Sequence, residues 1–126
     1  VNDTYGHNIG DVVLMLVAKA IADSCREGDI AARWGGEEFI VFLPNTSRDG
    51  AIMQAEHIRE TIENISFSTL NSELVLTASI GVSGTVTGKF ELSPTYHDTI
   101  ESLVKSADRA LYTAKQDGKN QVRIVS

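Results

Sequence analysis

Val13, Leu16, Val17, Ala20, Ile21 and Ser24 recur three and four positions apart. That spacing predicts an amphipathic helix from about Gly10 to Cys25, with one face turned to a core. The period then drops to two. The β-prone runs Ile30–Trp34 and Phe39–Leu43 flank Gly35 and Gly36, and a Gly-Gly pair between such runs predicts a tight hairpin, because both positions take positive φ without a Cβ clash. The second run carries Phe39, Val41 and Leu43 on one face and Ile40 and Phe42 on the other, so it is expected to be an inner strand with neighbours on both sides. Pro44 stops it.

Thr46-x-x-Asp49 reads as a capping-box variant opening a second helix, in which Ala51, Ala55, Ile58 and Ile62 share a face. Leu74–Ser83 is a long strand signal, and Gly84–Pro94, rich in glycine, serine and threonine, reads as a loop. A third helix is expected from about Thr99 to Gln116, with Leu103, Val104, Ala107, Leu111 and Ala114 inward and Gly118 as its stop. Gln121–Val125 is a short last strand. The order helix, hairpin, helix, strand, helix, strand predicts one α+β domain: a ferredoxin-like sandwich whose central mixed, mostly antiparallel sheet is flanked by helices. Such a layout is expected to open with a strand ahead of the first helix, and Val1-Asn2-Asp3 offers only its tail.

Length and charge narrow the function. The 126 residues suit a single core. The net charge of −6, from 17 acidic and 11 basic residues, argues against a nucleic-acid polymer as partner, which calls for a basic excess. No apolar run approaches the roughly 20 residues that span a bilayer, so no membrane contact is expected of this domain. The single Cys25 excludes an internal disulfide, fits a reducing cytoplasm, and falls on the first helix as a packed thiol. An acidic protein can still hold a small phosphate ligand through carboxylate-bound divalent metal and a few placed cations. The hairpin offers that: bare backbone at Gly35 and Gly36, then the adjacent carboxylates Glu37 and Glu38, which strand alternation sends to opposite faces. Taken alone, the same residues also read as a solvated acidic tip.

Four separated motifs resemble one family. Val1-Asn2-Asp3-Thr4-Tyr5-Gly6-His7-Asn8-Ile9-Gly10-Asp11 is similar to the VNDxYGHxxGD segment of GGDEF domains, the diguanylate cyclases. Arg33-Trp34-Gly35-Gly36-Glu37-Glu38-Phe39 resembles their signature loop in its GGEEF form. Ser79–Val82 resembles their SIGVA-like strand, and Ala107–Asn120 their ADxALYxAKxxGRN ending. The four stand in the family's order over nearly the whole chain, residues 1–126.

The resemblance implies a palm-type fold and the condensation of two GTP to cyclic di-GMP, with two pyrophosphates released, Mg²⁺ or Mn²⁺ as cofactor and a homodimer as the active unit. It implies Glu37 as metal ligand and proton acceptor, with Glu38 beside it as a metal or nucleotide contact. Gly35 and Gly36 would let phosphates lie against backbone, and Asn2 and Asp11 would read guanine. His7 would line the nucleotide site, although it reads equally as a capping or packed histidine. Lys115 and Lys119 would reach the terminal phosphates; unaided, they read as a solvated helix end, and Lys119 stands where the family usually has Arg. Arg26-Glu27-Gly28-Asp29 matches the family's RxxD inhibitory site, with Arg26 and Asp29 binding product. It also reads as a helix-ending turn with Gly28 as its left-handed stop, and both readings can hold together.

The expected identity is therefore a cytoplasmic bacterial signalling domain, a cyclase under product inhibition, in a parent that an upstream segment could anchor to a membrane. A catalytically silent cyclic di-GMP receptor using Arg26 and Asp29 is the alternative; a palm-like polymerase or adenylyl cyclase is a weaker one. The family's preceding strand, with its second metal-binding Asp and a Lys, has no counterpart in these residues. Alone they are expected to be inactive.

Overall fold

The structure, a computed structural model, describes residues 3–65, 76–84 and 96–124, with side chains over 10–65, 76–84 and 101–124. Among the described residues, seven elements follow in order: α1 (Asp3–Ser24), β1 (Ile30–Gly35), β2 (Glu38–Phe42), α2 (Arg48–Glu63), β3 (Ile80–Val82), α3 (Tyr96–Gln116) and β4 (Val122–Ile124).

Helix α1 starts at Asp3, well before the expected Gly10. Gly6 and Gly10 each weaken a helix, but no proline interrupts it. The predicted face is the one that packs. Val17, Ala20 and Ile21 join Ile58 and Ile62 of α2 in one cluster, against which Val13, Phe39, Val41 and Ile80 lean. Helix α2 buries all four residues that its periodicity marks: Ala51, Ala55, Ile58 and Ile62. Ala51 and Ala55 form a second cluster with Val82, joined by Leu43, Ile52, Ile80, Val122 and Ile124. Its N-cap is Ser47 rather than Thr46. Ser47 Oγ accepts from Gly50 N at 3.2 Å, while the Thr46 hydroxyl donates to Pro44 O and accepts from Arg26.

Strands β1 and β2 form an antiparallel ladder; β3 and β4 form a parallel one. Phe39 and Val41 of the first ladder and Ile80 of the second lean on the same cluster between α1 and α2, yet no backbone ladder joins the two among the described residues. Among the described residues strand β2 has a ladder neighbour on one side, where an inner strand with neighbours on both was expected. Its Phe39 and Val41 lean on the core, while on the other face of the hairpin Ile30 and Trp34 are each 61% exposed. The long strand expected over Leu74–Ser83 reduces to Ile80–Val82. Leu76–Ser79 carry no ladder, and Leu74 and Val75 lie outside the described residues, as does the predicted loop beyond Gly84.

Helix α3 runs from Tyr96, three residues ahead of the expected start, and crosses β3 at very close range. A Cβ on Gly81 would collide with the backbone of Ala107 and Leu111. Ala110 and Ala114 are 1% and 0% exposed on the same face, so small residues on both elements set the separation. The helix ends as the glycine predicts: Gly118 takes φ +114°, and Lys119 N donates back to Ala114 O at 2.9 Å, the long bond of a Schellman motif.

Candidate active site

The hairpin tip differs from the sequence expectation by one residue. Gly35 is the last residue of β1 and pairs with Glu38, so the two-residue turn is Gly36-Glu37. The ladder slips between Arg33 and Gly35, leaving Trp34 as an extra residue on β1. Only the first turn position takes a positive φ, +45° at Gly36. The consequence is chemical: Glu37 sits at the apex of the turn and Glu38 opens β2, so strand alternation does not govern Glu37. Both carboxylates are exposed. A Cβ at Gly35 or at Gly36 would meet nothing within 4 Å, so the space over this backbone is open.

Arg33 fixes the tip, a role its place in the sequence does not announce. Its Nε and Nη2 both donate to Gly36 O, at 2.9 and 2.6 Å. A guanidinium fork on one carbonyl holds the peptide that precedes Glu37.

The other predicted residues lie on other elements. Asp11 is an exposed residue of α1. The His7 side chain and all of Asn2 lie outside the described residues. Lys115 occupies the last turn of α3 and Lys119 the turn that follows. Both are exposed, and among the described residues neither forms an ion pair. Lys119 and Asn120 both take left-handed backbone, at φ +63° and +48°.

The Arg26–Asp29 turn lies at the opposite end of β1, about 17 Å along a six-residue strand. It closes on itself: Asp29 Oδ2 accepts from Arg26 N at 2.8 Å and from Arg26 Nε at 3.5 Å. Gly28 has φ +93°, and Asp29 N donates to Arg26 O. The helix-ending turn is therefore present. The Asp29 side chain is 3% exposed and that of Arg26 57%. Two open grooves border the turn, one of about 470 Å³ reaching Ala22, Cys25 and Ala31, the other of about 280 Å³ reaching Pro44 and Asn45. Burial, with the Asp29 charge adding to it, pushes the Cys25 thiol up from its ordinary pKa, consistent with a packed thiol.

The donor set at the tip suits a hard divalent cation in kind, since both oxygens-bearing groups are carboxylates. It falls short in number: no three metal-ligating side chains converge among the described residues. Waters and substrate phosphate oxygens would have to complete the shell.

The sequence profile described as "Diguanylate cyclase, GGDEF domain" matches residues 1–121. The chain belongs to the GGDEF family. It is 46% identical over 124 residues to diguanylate cyclase A of Treponema denticola, covering 98% of this chain and 31% of that protein. The crystal structure of diguanylate cyclase SiaD in complex with its activator SiaC, from Pseudomonas aeruginosa, superimposes with a TM-score of 0.77 at 35% identity, over 99% of this chain and 45% of that one. The GGDEF domain of DgcB from Caulobacter crescentus, in complex with c-di-GMP, gives 0.73 at 30% identity, over 98% and 68%. The chain thus spans about a third of the length of the curated relative, and its architecture is the palm-like α+β fold of GGDEF domains. No described helix is long and apolar enough to cross a membrane.

Proposed function

We propose that the protein carrying this chain is a diguanylate cyclase. The observation that carries this reading is the intact hairpin tip: Glu37 at the apex and Glu38 beside it, next to glycine backbone with open space above, in a chain of the GGDEF family. In the proposed reaction the 3′-hydroxyl of each of two GTP molecules attacks the α-phosphorus of the other. Two P–O bonds form, two break, and two pyrophosphates leave. A pair of facing domains, each holding one GTP, supplies the in-line geometry.

Glu37 accepts the proton of the attacking hydroxyl, and Gly35 and Gly36 let the phosphates lie along the backbone. Lys115 and Lys119 neutralise the departing pyrophosphate. Asn2 and Asp11 read guanine, with the Asp11 carboxylate accepting from N1–H and the exocyclic amine, and His7 lines the same pocket. Glu37 and Glu38 would hold Mg²⁺ or Mn²⁺, which supplies charge neutralisation at the phosphates. GTP as substrate places the domain in the cytoplasm.

Two experiments probe the sites. The full-length protein with Mg²⁺ is expected to release pyrophosphate from GTP and not from ATP, because exchanged donors and acceptors leave buried groups unpaired. Asp11→Ala is expected to narrow the gap between the two nucleotides by about tenfold or more. Equal turnover of ATP and GTP by the unmutated protein contradicts the assignment.

The grooves around Arg26 and Asp29 favour a second reading of that turn, as a product-binding inhibitory site. Arg26→Ala is expected to relieve inhibition by added cyclic di-GMP while initial rates stay close to wild type. Superimposable inhibition curves place product elsewhere. If no GTP turnover occurs while cyclic di-GMP binds in an Arg26-dependent way, the protein is a receptor instead.

A further inference from the structure

The turn that carries Lys119 is held by side chains with no part in the proposed chemistry. Asn120 joins it to helix α2 with both ends of its amide: Oδ1 accepts from Arg59 Nη1 at 3.0 Å, and Nδ2 donates to Glu63 Oε2 at 2.8 Å. Its backbone N–H donates to Ser79 Oγ at 3.2 Å, just ahead of β3. Arg59 is itself fixed, 16% exposed and paired with Glu56 at 3.1 Å and Glu63 at 3.5 Å. The hydrogen bond to Glu56, followed by the surrounding carboxylates, raises its pKa further, so the guanidinium stays charged. The Gln121 amide adds two more ties, to Asp117 O and Lys119 O, at 2.9 and 3.1 Å.

Helix α2 already buries its apolar face through Ala51, Ala55, Ile58 and Ile62. What the polar cluster fixes is the path of two consecutive left-handed residues, Lys119 and Asn120, a conformation that L side chains resist. Beside that fixed backbone, the Lys119 side chain is exposed and has no carboxylate partner among the described residues.

We propose that Arg59, Glu63 and Asn120 are positioning residues that hold the Gly118–Asn120 turn so that Lys119 meets the GTP phosphates. The inference rests on the proposed role of Lys119 and adds a means by which α2 sets it. It also explains how a point charge on a flexible stem can stand where the family usually has a fork of donors: the backbone beneath it is immobilised on three sides.

The test compares full-length variants in steady-state kinetics with GTP and Mg²⁺, each checked by thermal unfolding. Asn120→Gly removes both amide bonds without adding strain, since glycine accepts φ +48° freely. It is expected to raise KM for GTP about tenfold with kcat within about threefold of wild type. In a Lys119→Ala background the same change is expected to add less than about twofold, because Asn120 acts through Lys119. Glu63→Ala, at a partly exposed position, should reproduce the KM effect even where Asn120→Gly fails to fold. Glu63→Gln, which keeps an acceptor for Nδ2, should restore it. A wild-type KM in Asn120→Gly or Glu63→Ala beside an impaired Lys119→Ala overturns this inference alone, and so do effects that simply add. Wild-type kinetics in Lys119→Ala overturn both the inference and the phosphate role on which it rests.

Discussion

Glu37→Gln in the full-length protein is expected to lower cyclic di-GMP formation about 10³-fold or more, with the thermal midpoint unchanged. Loss of a carboxylate that binds metal and accepts a proton costs several kcal/mol of barrier, and about 4 kcal/mol corresponds to that factor. The fold has no stake in the group: Glu37 is exposed, at the apex of a turn whose positive φ belongs to Gly36. The peptide beneath it stays fixed by Arg33 on Gly36 O in the variant as in the wild type. Wild-type turnover by Glu37→Gln, measured as product per minute at saturating GTP, would remove both roles from this residue.

Gly81→Ala is expected to act in the opposite way, through stability. The added Cβ meets the main chain of Ala107 and Leu111, which a rotamer change cannot clear. Helix α3 must lift off β3 or the strand must bend. Overpacking typically costs 1–3 kcal/mol and occasionally more, and a clash against the main chain at two α3 residues belongs at the upper end, about 3 kcal/mol. A drop of roughly 10 °C in the thermal midpoint, or loss of soluble protein, is the expected result. Ala110 and Ala114 would lose their close packing, and the helix end bearing Lys115 would move with them. An unchanged midpoint would mean that α3 does not cross β3 at Gly81.

Helix α2 was legible down to single residues because its four buried positions face one side at the helical period, a local property of the chain. The extent of β3 was not. Leu76–Ser79 have strand propensity, but a strand exists only where a partner supplies hydrogen bonds, and the β4 ladder opposite spans Val122–Ile124. The same reasoning applies to β2, whose two apolar faces call for neighbours on both sides while the described residues supply one. The start of α1 was hidden by Gly6 and Gly10, which signal a loop locally and are tolerated within a long helix.

At the hairpin tip, motif order picked out Gly35, Gly36, Glu37 and Glu38, but the bulge at Trp34 shifted the turn and moved Glu37 to its apex. Arg33 and the Arg59–Glu63–Asn120 cluster escaped notice for a different reason. Their roles arise from contacts: Arg33 acts across the turn, and Asn120 meets α2 some 60 positions away in sequence. The only local hint was an asparagine two residues after the helix-ending Gly118, a residue type that tolerates left-handed backbone.

The central claim, that the hairpin tip serves GTP condensation, is tested most directly by mass spectrometry of the nucleotide products. The full-length protein and its Glu37→Gln variant are incubated with GTP and Mg²⁺ under the same conditions. The account predicts cyclic di-GMP from the wild type, with two pyrophosphates per product, and almost none from the variant. A wild type that is folded, dimeric and GTP-bound yet forms no cyclic di-GMP, or a variant that forms as much as the wild type, would contradict it.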